Sequence, residues 1–433
     1  MIPRHGVQAR HCVEQKEVEA PKSTTYIDKP KTRRANSLLL NARSPSASES
    51  ETSEGSNLSD EDFVYYQDPD DIDDYKDPIL IENFEWKEIK KVDEKKWMPH
   101  YSPINGPTGI SLDENSSPAS FFQLFFSDEV IEDIRLWTNK RAEKTIDNVK
   151  RKQNKEKQWF AIRKENFEME AFLGCLIAMG VNRMANIKQY WTTESRLFSN
   201  FGIKDLFVKK RFMDIFSNVC LRDPGTEDVK DPLGKIMPLV NRIISTAQSI
   251  YTPKKELSID EAMIPFSGRH SLVQFMPLKP IRYGFKAFLL CEACSGYVLN
   301  WKLYTKDIKT EDFGATYRTV MSVSEGFEGE GNTIFMDRYY TGVQTVADLK
   351  NKKIGACGTI KMNRLHLDQN SKKTIESLED RKILYFQGPQ GLLLTCWKDS
   401  KIVTVLSNYH GTELVEVTRK LRKKDIKKMK QIQ

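Results

Sequence analysis

Two aspartates end apolar, strand-like runs and are candidates to bind one metal ion together. Asp260 follows Leu-Ser-Ile within ELSIDEAMIPFSGRH, and Asp337 follows Ile-Phe-Met within NTIFMDRYY. Mg²⁺ prefers oxygen ligands in octahedral geometry and keeps several waters, so a phosphoryl-transfer site needs only two or three acids from different strands. The pair therefore predicts half of a divalent-metal site, with Asp260 and Asp337 as catalytic, metal-binding residues and Mg²⁺ or Mn²⁺ as the ion.

The segments that position these acids read as strands and crossover helices after Tyr251. Strands are predicted at Leu257–Ile264, Phe285–Glu292, Tyr297–Tyr304, Asn332–Asp337 and Gly355–Ile360, and helices within Ala315–Ser324 and near Val343–Lys352. Three successive strands, a crossover helix and a fourth strand beside the first form the element order of a ribonuclease H-like fold. This order puts Asp260 and Asp337 on neighbouring strands. Further strands in ILYFQ, LLLTCW and KIVTVLSN predict an inserted or appended β unit.

A helical region is predicted before the α/β part. Ser127 offers an N-cap for a first helix, a second runs from Asn166 to about Met179, and Asp231-Pro232 opens a third. The stretch 140–159 between the first two is very basic. It is either a DNA-facing connection or a solvated helix surface, and we favour the solvated surface.

Length and composition point to a soluble, intracellular protein with two folded regions and a tail. The 433 residues are 39% hydrophobic, and no run approaches the roughly 20 apolar residues of a membrane span. The N-terminus lacks the apolar segment of a signal peptide. Seven scattered cysteines do not form a disulfide framework, and Cys291-x-x-Cys294 has no second pair, so no zinc is expected.

The net charge of +7 hides a segregation of charge along the chain. Residues 48–77 contain twelve acids and one lysine, a net −11, which leaves +18 on the rest. A basic folded part favours polyanions, whereas the acidic, serine-rich segment cannot bury enough surface to fold. The segment is therefore predicted to be a disordered solubilising leader, or a phosphorylated partner-binding or self-masking segment around Ser59–Asp62.

Three longer stretches resemble one known family. SIDEAMIPFSGRHSLVQFMPLKPIRYGFK, IFMDRYYTGVQTVADLK and CWKDSKIVTVLSNYH resemble the piggyBac-type transposases and their domesticated relatives, and the resemblance covers roughly Ser117 to His410. It implies a DDE/D recombinase, in which metal-bound carboxylates activate water and then a 3′-hydroxyl for strand cleavage and transfer. By motif, Asp260 matches the first catalytic acid of the family and Asp337 the second.

The chain also departs from the family pattern. The family has a third aspartate in a motif of the form YN..GGVD, followed by a cysteine-rich zinc-binding module, and neither occurs before Gln433. Asp425 lies near the expected place, in a lysine-rich stretch without Gly-Gly-Val before it. We therefore expect a chain that is C-terminally truncated relative to the family and lacks the third acid.

Basic residues near the two aspartates are candidates for DNA contact. Lys279, Arg282 and Lys286 are spaced to touch phosphates beside the metal site, and Arg338 follows the second acid; ordinary surface cations are the alternative. A C-terminal basic run suits nuclear import or phosphate contact, or is a solvated helix end. Its members are Arg419, Lys420, Arg422, Lys423, Lys424, Lys427 and Lys428.

These observations predict an α/β protein with a ribonuclease H-like transposase core and an inserted or appended β unit, preceded by a helical domain and a disordered acidic tail. The expected regions are a tail at 1–116, a helical dimerisation or DNA-binding domain at 117–250, a catalytic core at 251–362, a β-rich insertion at 363–410 and a basic tail at 411–433.

Three functions remain open at this stage. The preferred one is a domesticated, nuclear, DNA-binding protein without competent transposition, with a homodimer and a protein partner of the acidic tail as further expectations. The second is a Mg²⁺-dependent DNA strand cleavage or transfer enzyme, partly active or completed by a partner. The third is a protein-interaction scaffold on a relic transposase fold.

Overall fold

The computed structural model describes residues 81, 84–92, 97–101, 104–153, 158–192, 202–226, 231–305, 313–398 and 401–414. The helices are α1 Pro118–Phe125, α2 Asp128–Gln153, α3 Glu168–Val181, α4 Ile203–Leu206, α5 Lys209–Asn218, α6 Met237–Ser249, α7 Ala315–Val323, α8 Val343–Asn351 and α9 Gln369–Glu376. The strands are β1 Lys87–Ile89, β2 Gly106–Pro107, β3 Tyr251–Thr252, β4 Glu256–Pro265, β5 Val273–Phe275, β6 Tyr283–Glu292, β7 Val298–Leu303, β8 Thr333–Met336, β9 Gly355–Thr359, β10 Ile383–Gln387, β11 Leu393–Lys398 and β12 Ile402–Ser407.

The helices α2 to α5 surround a hydrophobic cluster of their own. Phe172 and Phe212 are fully buried at its centre, with ring centroids 5.1 Å apart. Ser117 caps α1 by accepting a hydrogen bond from the Ser120 backbone N–H, and two acids occupy the first turn of α2. Much of the basic stretch at 140–159 is therefore helix, because α2 continues to Gln153.

The third predicted helix begins later than expected. The Asp231 carboxylate accepts the backbone N–H of Leu233, so Asp231-Pro232 opens a turn, and α6 starts at Met237. Asx turns of this kind compete locally with helical hydrogen bonding.

A ten-stranded sheet forms the rest of the fold, in the order β1-β10-β11-β12-β9-β8-β4-β6-β5, with β7 also paired to β6. The strand β8 is parallel to both of its neighbours, β4 and β9, and the other strand pairs are antiparallel. Each strand and helix predicted between Leu257 and Asn408 is present within about two residues of its expected bounds. The mixed sheet with α7 as its crossover is the predicted ribonuclease H-like arrangement.

The predicted β unit continues this same sheet. Its last strand, β12, pairs antiparallel with β9, with Leu406 opposite Gly358. The fully buried Asn408, directly after β12, stabilises the contact of β12 with β9 and α8. Its side chain donates to the carbonyls of Val346 and Ile354 and accepts the N–H of Ala356.

The expected tail boundary at residue 116 is wrong, because residues 84–92 belong to the fold. β1 pairs with β10 at the sheet edge, and Trp86 is buried in the main hydrophobic cluster. The Trp86 indole N–H donates to the Leu365 carbonyl at 2.8 Å. The neighbouring Ile81 and Phe84 pack against the same cluster, so several apolar contacts and the strand pairing hold this charged segment.

Residues 1–80, with the acidic segment, and residues 415–433, with the C-terminal basic run and Asp425, lie outside the described residues. Within the part that the structure describes, no helix combines the length and the apolar character needed to cross a membrane.

Candidate active site

The two aspartates lie side by side on neighbouring parallel strands, Asp260 within β4 and Asp337 directly after the end of β8. In the pairing of β4 with β8, Ile259 is opposite Met336, and the next residue on each chain is Asp260 and Asp337 respectively. Adjacent strands are about 4.8 Å apart, so the two backbones deliver their carboxylates to one place. The predicted placement on neighbouring strands is confirmed.

Strand alternation puts both carboxylates on the same face of the sheet. Ile259 and Met336 are buried in the main core, and successive side chains of a strand point to opposite faces. Asp260 and Asp337 therefore project away from that core, and both reach solvent. The Asp260 carboxylate accepts the backbone N–H of Glu261 at 2.7 Å.

The surroundings of Asp337 disfavour the negative charge of its carboxylate. Its Oδ1 accepts the backbone N–H groups of Tyr339 and Tyr340, at 2.9 and 3.4 Å. Burial raises the pKa of the Asp337 carboxyl, the two N–H groups oppose this rise, and the negative charges of Asp260 and Glu261 add to it. The net result is a pKa above the ordinary value. A divalent cation between the two carboxylates would relieve this repulsion, and oxygen donors suit Mg²⁺ or Mn²⁺.

The nearest further carboxylate, Glu261, is already neutralised. Its side chain is 11% exposed and forms ion pairs with Lys286 at 2.6 Å and Lys279 at 3.0 Å. Burial would raise the pKa of Glu261, but the two lysines outweigh burial and hold it below its ordinary value. As the residue after Asp260 on a strand, Glu261 points to the opposite face from the aspartate pair. Among the described residues, no set of three or more His, Cys, Asp or Glu side chains is placed to hold a metal.

The lysine partner of Glu261 is enclosed by aromatic rings. Lys286 is 5% exposed, and its ammonium lies 5.1 Å from the ring centroids of both Phe288 and Tyr339. Tyr340 packs against the same rings, and its buried hydroxyl has no hydrogen-bond partner in the structure. Burial, followed by the charges of Glu261 and Asp337, raises the Tyr340 pKa well above its ordinary value. The buried network thus joins β4 and β6 to the loop after Asp337.

This network corrects the prediction that Lys279 and Lys286 are surface cations ready to contact phosphates. Lys286 is buried, and both ammonium groups are bound to Glu261. A carboxylate withdrawn from water needs its compensating charges, and these two lysines supply them. Glu261 directly follows Asp260 in the sequence, but nothing in the spacing of the lysines predicted that Lys279 and Lys286 would pair with it.

The two predicted arginines lie at different places. Arg282 is exposed at the outer end of β6, away from the aspartates along the strand, and Arg338 is exposed beside Asp337. The loop after Asp337 is held by Arg364, which the sequence did not single out. The Arg364 guanidinium donates to the carbonyls of Arg338 and Tyr339, at 3.0 and 2.9 Å.

Comparison with protein families finds a match over residues 117–433, to the family described as Transposase IS4. Among curated human proteins, the chain is similar to PiggyBac transposable element-derived protein 3, with 25% identity over 323 residues, covering 71% of this chain and 51% of the relative. It is also similar to human PiggyBac transposable element-derived protein 2, with 26% identity over 314 residues, covering 70% of this chain and 50% of that protein. The chain spans about half the length of these relatives.

A solved structure shares the fold. It is the cryo-EM structure of a piggyBac transposase synaptic complex with hairpin DNA, with a TM-score of 0.59 and 23% identity. The match covers 73% of this chain and 65% of the other. The likeness supports the ribonuclease H-like core and its position after the helical region.

Proposed function

Because the chain belongs to the Transposase IS4 family, with a piggyBac-type transposase domain, we propose that this transposase-derived protein binds DNA in the nucleus and does not complete transposition by itself. The observation that carries the proposal is the acid pair. Asp260, within β4, and Asp337, directly after β8, lie on neighbouring parallel strands, while the neighbouring carboxylate of Glu261 is neutralised by two lysines.

Charge supports DNA as the partner. The chain outside residues 48–77 carries a net +18, and a surface of this kind attracts polyanions and gives salt-dependent affinity. The related solved structure is by its title a complex with hairpin DNA. Arg282 and Arg338, both exposed, are the candidate phosphate contacts of the described part.

Asp260 and Asp337 would hold a Mg²⁺ or Mn²⁺ ion. Bound there, the ion would supply Lewis-acid polarisation of a phosphate oxygen and a more acidic bound water. The residues of the chain do the positioning. Backbone N–H groups of Tyr339 and Tyr340 orient the Asp337 carboxylate, and Arg364 fixes the loop that presents them.

The same arrangement explains why we propose binding without strand transfer. Two metal ions about 3.5–4 Å apart, held by several carboxylates, stabilise the attacking and leaving oxygens in such reactions. The described residues bring two acids together, and Glu261 faces the other side of the sheet. A strand-cleaving enzyme is the alternative, favoured by the placement of the two acids next to each other on neighbouring parallel strands.

Nuclear location and protein partners complete the proposal. The run from Arg419 to Lys430 has eight basic residues in twelve, a composition typical of import signals. A homodimer and a protein that binds the acidic segment 48–77 are further proposed partners. Fusion of a fluorescent protein to the chain, with the basic run intact or changed to glutamine, tests import; equal cytoplasmic signal for both would contradict the nuclear proposal.

DNA binding is tested by titrating a labelled duplex with the purified 433-residue chain over a salt series. For about six phosphate contacts, affinity should fall by roughly 10³ between about 50 and 200 mM salt. Arg282→Gln should lower the affinity and make the salt dependence shallower by about one contact. Absence of salt-dependent binding would overturn the proposed function.

A further inference from the structure

The strands β4 and β6 continue well beyond the aspartate pair and form an exposed ribbon. β8 ends at Met336, next to Ile259, whereas β4 runs on to Pro265 opposite Gly284 on β6. Asp260 faces Leu289, so Tyr283 lies six residues further along β6. At about 3.4 Å per residue, Tyr283 is roughly 20 Å from the aspartates along the strand, whereas the loop that precedes Tyr283 folds back so that Lys279 reaches Glu261.

Large apolar side chains are exposed at the end of this ribbon. We call them the apolar tip, and each is more than a third exposed to solvent: Ile264, Phe266, Leu278, Ile281 and Tyr283. Single exposed apolar residues are ordinary on protein surfaces, but a group of them on one projection marks an interaction site. Leu278, at 76% exposed, is the most exposed of the five.

The loop that carries Leu278 and Ile281 is constrained by its own hydrogen bonds and prolines. The Met276 N–H donates to the Arg282 carbonyl at 2.8 Å, and Lys279 N–H donates to Met276 at 3.2 Å, so the loop between β5 and β6 is closed on itself. Pro277 and Pro280 restrict its backbone. The ring of Tyr283, a member of the tip, packs against Phe275, with ring centroids 4.8 Å apart. A preorganised apolar surface loses little conformational entropy on binding.

The charge around the tip selects its partner. Residues 262–285 contain no Asp or Glu, whereas Arg269 and Arg282 are both exposed there. A positively flanked apolar surface, on the same two strands as a phosphodiester-directed acid pair, fits nucleic acid better than an apolar protein. Apolar residues such as Phe, Leu and Ile that insert between base pairs and unstack them are a known mode of DNA recognition.

We propose that the apolar tip inserts between base pairs of the bound DNA. The inference rests on the proposed DNA binding and adds the class of substrate: DNA that is unstacked, or easily unstacked, at the point of insertion.

The experiment compares two labelled duplexes of equal length, one fully paired and one with a tandem mismatch at its centre. A mismatch removes most of the unstacking cost, so the unmodified 433-residue chain should bind the mismatched duplex on the order of tenfold more tightly. Leu278→Ser should bring the ratio close to one, because a hydroxyl gains little from contact with bases. Leu278→Met should keep the preference, since the side chain stays apolar and of similar volume.

Leu414→Ser provides the matched control, because Leu414 is 78% exposed and lies outside the ribbon. It should leave the ratio unchanged. An unchanged ratio in Leu278→Ser, or an equal loss on both duplexes, would overturn insertion while leaving DNA binding in place. A shift from dimer to monomer in Leu278→Ser, with the DNA preference intact, would show that a second copy of the chain covers the tip instead. Failure of the unmodified chain to bind either duplex would overturn the proposed function itself.

Discussion

At the residue scale, the site is organised by how three carboxylates are compensated. Asp260 and Asp337 share one face and repel each other, and Glu261, on the other face, is neutralised by Lys279 and Lys286. The chain therefore keeps its negative charge where a cation can bind and cancels it where the core is packed. Breaking the compensated group and removing charge from the uncompensated pair should have opposite effects on stability.

Glu261→Gln should destabilise the fold by roughly 3 kcal/mol, because it leaves the buried Lys286 ammonium without its counter-charge. Lys279→Gln is the matched control. Lys279 is 35% exposed and shares the same carboxylate, so its loss should cost about 1 kcal/mol or less. Urea unfolding of both variants measures the difference, and equal losses would show that the Lys286 pair is not the important one.

Asp337→Asn should raise stability at neutral pH. A carboxyl whose folded pKa is raised binds its proton more tightly in the folded state, so its contribution is favourable at low pH and is lost as pH rises through the folded pKa. The amide oxygen can still accept the N–H groups of Tyr339 and Tyr340.

Thermal unfolding across pH checks this prediction. The gain from Asp337→Asn should disappear as pH falls below the ordinary aspartate value of 3.8. Mg²⁺ should stabilise the unmodified protein and not the variant. A variant that is less stable at neutral pH would contradict the electrostatic interpretation of the pair.

At the element scale, the parallel pairing of β4 with β8 determines where chemistry is possible, and the longer pairing of β4 with β6 carries the apolar tip. The sequence predicted these strands closely, because alternating apolar runs bounded by turns are a strong local signal. It did not predict the Glu261 ion pairs or the contacts of Arg364. Those contacts join residues that are 18 or more positions apart, which no local pattern encodes.

The close approach of β4 and β6 requires glycine at position 284. A Cβ there would overlap the Ile264 carbonyl oxygen, which is backbone and cannot move aside without opening the ribbon. Gly284→Ala should therefore cost about 3 kcal/mol or more. Gly174→Ala, on α3 with open space around it, should be neutral or stabilising by up to about 1 kcal/mol. Denaturant unfolding of the pair is the measurement, and similar effects at both positions would contradict the close-approach argument.

At the scale of the whole molecule, β1, which lies in the region predicted to be a tail, completes one edge of the sheet. The strand β6, which carries the apolar tip, is near the other end of the strand order. The order of strand-like and helical patterns after Tyr251 correctly predicted a mixed α/β protein, because such periodicity is distributed over many residues. It missed the role of Trp86, since one buried indole in the charged stretch EWKEIKK has no periodic neighbours. The resemblance to the family predicted that a helical region precedes the sheet, and it did so more directly than periodicity.

Trp86→Ala should cost about 3–5 kcal/mol, because it leaves a cavity in the main core and removes the bond to the Leu365 carbonyl. Leu206→Ala is the control, since Leu206 is 62% exposed and should change stability by less than about 0.5 kcal/mol. Calorimetry of the full chain compares them. A small loss at Trp86 would mean that β1 is not part of the cooperative fold.

The central claim is that the aspartate pair belongs to a DNA-binding protein that does not complete strand transfer. The most direct measurement follows a labelled inverted-repeat hairpin DNA with the 433-residue chain in Mg²⁺ or Mn²⁺, over a salt series, with Asp260→Ala alongside. We predict salt-sensitive binding by the unmodified chain and no nicking or strand transfer. Metal-dependent cleavage that disappears in Asp260→Ala would contradict the claim and establish a strand-cleaving enzyme.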